Sequence, residues 1–334
     1  MATRRKRGFG RPVPPPDSGE SFEVRTEDGV VLRGTIREPA GKPVATAILA
    51  HAMFARRSAF ERPAGAGLAP FLAERGLRTV AFDFRGHGES GLAAAGGGDW
   101  SYDDLVRRDL PAVVDAVRAR AGRGKVVLFG HSLGAHVALA SHAVGACSLD
   151  GIAMLAGNVW LEALEPSPLL WAAKRAMLEV FDRTTRALGR FPARALRLGS
   201  DDEAATYVHD LCRFGRTGQW RSADGRDDYL AALAGVHVPV VAVASDGDRL
   251  ECRPESARRF LDLCAGPKRF ERVMRADDGG PPPKHAGVLV DGTCRGAWER
   301  ATVFLAEELR FSLTPSSRGP RAAGRRGDRG VAPR

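Results

Sequence analysis

The run Val126-Val127-Leu128-Phe129-Gly130-His131-Ser132-Leu133-Gly134-Ala135 joins a strand with no polar face, a G-x-S-x-G turn and the start of a helix. Glycines two residues to either side of a serine let the chain make a sharp, strained strand-to-helix turn, since neighbours without side chains can pass close by. The turn lifts the Ser132 hydroxyl clear of the strand. It also aims the Leu133 amide the same way, beside a helix N-terminus whose partial positive charge favours a developing anion. The pentapeptide alone recurs by chance, but between an apolar strand and a helix it marks Ser132 as a candidate nucleophile.

On either side, short continuous apolar runs recur at Val44 to Ala50, Thr79 to Phe84, Lys125 to Phe129, Gly151 to Ala156, and Val238 to Ala244. Strands buried on both faces look like this, so a mostly parallel sheet covered by helices is expected. Phe22 to Thr26 and Val30 to Ile36 alternate around Asp28-Gly29 and read as a hairpin. Helical patterns lie between the runs, at Phe60 to Glu74, Tyr102 to Arg120 and Leu133 to about Val144. A last strand (Arg269 to Met274) and a final helix (Ala297 to Leu309) follow. The alternation means an α/β fold. About 80 residues separate the runs at Ala156 and Val238, far beyond an ordinary α/β loop. Their helical patterns (Leu169 to Phe181, Asp202 to Cys212, Asp228 to Leu233) predict a helical cap inserted over one end of the sheet. The expected division is a basic, disordered N-terminal tail 1–18, core 19–157, cap insertion 158–236, core 237–311 and a basic, disordered C-terminal tail 312–334.

The chain has 334 residues, 44% hydrophobic, and a net charge of +10, which excludes collagen, wholesale disorder and a disulfide-stapled miniature. Such an excess first suggests nucleic acid. Residues 1–16 carry +5 and residues 312–334 another +5, leaving a neutral body, so no specific nucleic-acid partner is expected. No apolar stretch reaches the roughly 18 residues of a membrane span. The basic start breaks at Gly and Pro where a secretory signal would be apolar, so a cytoplasmic location is expected. Five cysteines in no metal-ligand spacing suit a reducing compartment and argue against structural zinc.

From about Phe22 to Phe311 the chain resembles the serine-nucleophile α/β-hydrolase superfamily, and within it the bacterial predicted hydrolases of the serine aminopeptidase or monoacylglycerol-lipase-like type. The resemblance rests on the elbow at Ser132, the His51-Ala52-Met53-Phe54 turn and the Asp83-Phe84-Arg85-Gly86-His87-Gly88-Glu89-Ser90 turn. Arg197-Leu198-Gly199 and Lys284-His285-Ala286-Gly287 add to it. It implies an α/β-hydrolase fold and a second oxyanion donor at the Met53 amide, with Ala52 standing where a glycine is usual. Asp83 and Arg85 would shape their loop as a buried charge pair. In this fold the base comes from the loop after the last strand, which selects His285 among eight histidines. The acid follows a strand between serine and histidine. There Ser245-Asp246-Gly247-Asp248 offers Asp248, with Asp246 as its rival. The superfamily's other acid position holds Asn158, which has no carboxylate to give.

A serine hydroxyl is a weak nucleophile and needs a base oriented by a third group. The expected chemistry is therefore acyl transfer from a small ester-type substrate to water, with no cofactor and no metal. Ser132 would attack, His285 take its proton, Asp248 orient the imidazole, and the Met53 and Leu133 amides hold the oxyanion. A serine argues against the branches that use an aspartate nucleophile, haloalkane dehalogenases and epoxide hydrolases. Phe54, His131 and Trp160 are candidate substrate contacts. Cap residues such as Leu161, Leu169, Leu170 and Trp171 would either line an acyl pocket or fill the core beneath the cap. Rival readings are an acyltransferase, aminopeptidase or perhydrolase using the same triad, or a non-catalytic binding protein with basic tails.

Overall fold

The computed structural model describes residues 19–315, so the expected tails fall outside the described residues except for 312–315. Those four do not trail away: the Thr314 amide donates to the Arg75 carbonyl (3.0 Å), and Leu313 packs on the core.

Eight strands form one sheet in the order β1-β2-β4-β3-β5-β6-β9-β10. They are β1 Glu20–Arg25, β2 Val31–Arg37, β3 Ala45–Ala50, β4 Leu77–Phe82, β5 Val126–His131, β6 Gly151–Leu155, β9 Val240–Ser245 and β10 Lys268–Val273. Only β2 runs against its neighbours; from β4 to β10 every pairing is parallel. The continuous apolar runs are explained by burial on both faces. Ile48, Leu128, Met154 and Ala242 face one core, and Leu49, Phe129, Leu155 and Val243 face the other. Helices Leu110–Ala121 and Leu133–Ala143 cover the first face, and Leu68–Glu74 and Arg295–Leu309 the second. At the edge, β10 alternates exposed Lys268 and Arg272 with buried Glu271 and Val273, a charged border that discourages edge-to-edge pairing.

Two expected helices differ. Phe60 to Glu74 is a 3-10 turn, Arg57–Glu61, then a loop, then the helix Leu68–Glu74. Pro63 lacks an amide to continue the ladder, and a Cβ on Gly67 would stand 2.4 Å from the Phe60 carbonyl oxygen. The helix expected from Asp202 starts at Ala205, because Glu203–Ala204 (β8) pairs antiparallel with Arg190–Phe191 (β7).

The segment between β6 and β9 contributes the long helix Pro168–Leu188 and the helix Ala205–Thr217, which pack on each other. Its Phe214, Trp220 and Tyr229 rings surround Tyr102, whose hydroxyl meets His136 Nδ1 at 2.9 Å on the elbow helix. The segment thus shares one core with the first face of the sheet. All five cysteines are buried and unpaired. Among the described residues no helix is long and apolar enough to cross a membrane.

Candidate active site

At the end of β5, Ser132 adopts φ 51° and ψ −111°, a conformation that costs a non-glycine residue about 1–3 kcal/mol. The strain is held from three sides. The Ser132 amide donates to the Leu155 carbonyl (3.0 Å), the Gly134 amide to the His51 carbonyl (3.1 Å), and the Ala135 amide to Ser132's own carbonyl (3.0 Å). A Cβ on Gly130 would lie 2.4 Å from the Ala135 amide nitrogen, and one on Gly134 2.1 Å from the Ala50 carbonyl oxygen. Both glycines are needed for backbone to pass backbone. Gly134→Ala should therefore push β3 from the elbow and cost about 1–3 kcal/mol, seen as a lowered denaturation midpoint with an unchanged m-value.

The Leu133 and Met53 amides face no acceptor among the described residues, whereas the Phe54 amide is taken by Glu203 Oε1 at 2.7 Å. Phe54 itself has φ 64°. Beneath the turn, His51 donates from Nδ1 to the Ala52 carbonyl (2.7 Å) and accepts the Phe84 amide at Nε2 (3.0 Å). Burial, then the nearby His87, hold His51 well below the usual imidazole range.

On the opposite side, His285 Nδ1 lies 2.5 Å from Asp248 Oδ2. The other Asp248 oxygen accepts the amides of Glu251 and Cys252, both at 3.0 Å. Burial pushes the Asp248 carboxyl up, but the His285 hydrogen bond and charge and these amides outweigh it, and the net shift is downward. The rival Asp246 instead pairs with Arg272 Nε at 2.7 Å on the surface. Gly247 between them permits the arrangement, since a Cβ there would stand 2.2 Å from the Pro282 carbonyl oxygen, on the loop that carries His285. Ser245 Oγ donates to the Pro283 carbonyl (2.6 Å) and fastens the same loop. Among the described residues neither Ser132 Oγ nor His285 Nε2 has a hydrogen-bond partner, which leaves both free for a proton transfer made when substrate is present. Asp248, Glu251 and His285 also form the one grouping of three potential metal donors among the described residues. The Asp248 oxygens are already engaged by His285 and two amides, so the set is a hydrogen-bonded acid–base pair.

The candidate contacts divide. The His131 ring lies against His285, centroids 5.1 Å apart, with Nε2 3.2 Å from the His285 carbonyl. Burial and the neighbouring His285 lower it to about 3, so it is a neutral support. Phe54 stacks on Phe191 (5.5 Å) and meets Phe181 edge-on (6.4 Å), an apolar wall supplied by the long segment. Trp160 donates from Nε1 to the carbonyl of Glu251 (2.8 Å), the residue whose own amide donates to Asp248. Lys174 Nζ, buried and 2.8 Å from Glu165 Oε2, sits 5.2 Å from the Trp160 ring centroid. Asn158 is buried.

One expectation is corrected. Asp83 and Arg85 are not partners: Asp83 takes the Arg57 amide (2.6 Å) and pairs with its guanidinium, while Arg85 binds Asp109 (2.7 Å) and Asp28 (2.8 Å). The strand ends at Phe82 and the chain turns from Arg85, which carries the two side chains apart, and a π-helical turn at Leu105–Asp109 presents Asp109 to Arg85.

The family model for serine aminopeptidase, S33, matches residues 41–272, well over half of the chain and including Ser132 and Asp248. The chain belongs to this family. As a serine aminopeptidase, S33, relative it shares the α/β-hydrolase fold of solved structures that cover most of its length. DcsB, solved in complex with its substrate analogue, aligns at TM-score 0.61 with 17% identity, covering 88% of this chain and 100% of that one. Est1E from Butyrivibrio proteoclasticus, solved with ferulic acid bound, aligns at 0.56 with 18% identity, covering 86% and 99%. Human Lipase member N is 32% identical over 130 residues, which span 34% of this chain and only 32% of the lipase.

Proposed function

We propose that the protein is a serine hydrolase that cleaves a small ester-type substrate through an acyl-enzyme on Ser132. The observation that carries this is the Asp248–His285 hydrogen bond, with His285 against His131, the residue before a serine held at a strained elbow. In the proposed cycle Ser132 Oγ attacks the ester carbonyl carbon while His285 Nε2 takes its proton. The carbonyl oxygen, now an anion, lies between the Leu133 and Met53 amides, which have no other partner among the described residues to give up. Asp248 keeps the second proton on Nδ1 and balances the imidazolium. His285 then protonates the departing alcohol, and water repeats the sequence on the acyl-enzyme.

Esters are favoured over free N-terminal amines by the charge pairing of the long segment. Its buried carboxylates Glu165, Asp182, Asp201, Asp202, Glu203 and Asp210 already meet Lys174, Arg216, Arg56, Arg190, His87 and Arg213 in turn, so none stands uncompensated for a substrate ammonium. Phe54, next to the Met53 amide, and Phe181 are half-buried over the buried Phe191 and suit an apolar acyl or aryl group. Est1E's ferulic acid accords with this reading. Pure protein should label with a fluorophosphonate at Ser132 and turn over p-nitrophenyl esters at least about 100-fold faster than aminoacyl p-nitroanilides. Preference for the anilides would move the assignment to an aminopeptidase. Transfer of the acyl group to an added alcohol or to peroxide, in place of water, would make it an acyltransferase or a perhydrolase. A protein with no labelling and no turnover would be a binding protein on this fold.

A further inference from the structure

Asp201 and Glu203 lie two residues apart, so on extended chain their side chains share one face, while Asp202 between them turns the other way to Arg190 and the Arg194 amide. Each of the two bridges the same pair of turns. Asp201 pairs with Arg56 and accepts the Gly88 amide at 3.4 Å. Glu203 Oε1 accepts the Phe54 amide at 2.7 Å and meets His87 Nε2 at 3.1 Å. Behind them the Ser200 amide donates to the Phe54 carbonyl (2.6 Å), and Gly199 lies so close that a Cβ would stand 2.3 Å from that of Phe54. The residue after Met53 is therefore gripped at both its amide and its carbonyl by one short piece of the long segment.

His87 decides the chemistry of this grip. Both of its ring nitrogens face acceptors, Nδ1 the Arg85 carbonyl (3.1 Å) and Nε2 the Glu203 carboxylate. A neutral imidazole has one N–H and can satisfy only one of them. We propose that Glu203 and a doubly protonated His87 form a buried ion pair that positions the Met53 amide for catalysis, making both positioning residues of the oxyanion turn. The inference rests on the hydrolase reading above, but the pair itself can be read without turnover.

The groups facing His87 agree with a cation there. Beside Glu203, they are Asp201, the Asp83 carboxylate, the His51 ring (centroids 4.9 Å apart) and the tilted Trp100 ring (5.6 Å). Burial opposes the charge, but Glu203 and the Arg85 carbonyl prevail and raise His87 to about 9. A folded-state value raised above the usual 6.5 gives stability that is present in full below 6.5 and lost as pH rises through about 9. The second Glu203 oxygen is buried and has no partner among the described residues, so the carboxylate is held for its charge more than for saturated hydrogen bonding.

The test pairs spectroscopy with kinetics. Histidine-15N-labelled wild-type protein at pH 8 should show one imidazolium with both nitrogens protonated, lost in Glu203→Gln; a spectrum without it overturns the pair. Folded Glu203→Gln should lose about 10- to 100-fold in kcat with KM changed less than about threefold. Glu203→Ala should in addition exchange its Phe54 amide with deuterium at least about tenfold faster, a readout independent of activity. Unchanged kcat together with unchanged exchange would overturn the positioning role. A wild-type protein that fails to label with fluorophosphonate yet shows the imidazolium would strike the hydrolase reading and leave the pair standing.

Discussion

Ser132→Ala should abolish ester turnover, lowering kcat by about 10⁶-fold while leaving the fold intact. A drop of that size corresponds to about 8 kcal/mol of barrier, the magnitude seen when a triad nucleophile is removed and water must attack unaided. The free Leu133 and Met53 amides survive the substitution, so a residual rate above that of water should remain. Stability should barely move. Alanine keeps the Cβ and therefore the strain of φ 51°, and Ser132 Oγ has no hydrogen bond to lose among the described residues. Thermal denaturation beside a p-nitrophenyl ester assay separates the two effects. A rate within tenfold of wild type would remove Ser132 from the mechanism.

Asp248→Asn should cost about 10⁴-fold in kcat, and the reason lies in two backbone amides. Glu251 and Cys252 both donate to Asp248 Oδ1, so an asparagine must turn its carbonyl oxygen to them. Its NH₂ group then faces His285 and demands an acceptor at Nδ1. The ring's one proton moves to Nε2, the nitrogen that has to take a proton from Ser132, and the base is disabled while the geometry persists. Asp246→Asn is the control. Asp246 makes an exposed pair with Arg272, worth about 0–1 kcal/mol at most, and its replacement should change kcat less than twofold. Equal losses at both positions would show that the acid role had been placed on the wrong residue.

The sequence was legible where burial is one-sided or total. Runs such as Val126 to Phe129 have nowhere to go but the middle of a covered sheet, and the elbow's glycines announce a close approach that the structure places at 2.1 and 2.4 Å. Gly247 carried a similar signal: a glycine between two candidate acids marks where another loop passes. The partners made across long stretches of chain were not legible. Glu203 reads as an acidic residue at the start of a helix, where acids are common, and nothing local shows that it reaches Phe54 and His87. Lys174 sits in an amphipathic pattern as an ordinary solvated charge, yet it is buried against Glu165 and Trp160. Asp83 and Arg85 show the same limit from the other side. Proximity in sequence suggests a pair, whereas each takes its partner from elsewhere in the chain.

The grip of residues 199–203 on Phe54 bears on how members of this fold diversify. A segment laid over a conserved type of sheet looks like an exchangeable module, to be swapped for another when a different substrate is wanted. Here the swap would also remove the carbonyl and carboxylate contacts that shape the turn beneath it. A transplanted segment would have to bring two carboxylates with the same spacing, or the recipient would have to rebuild its turn.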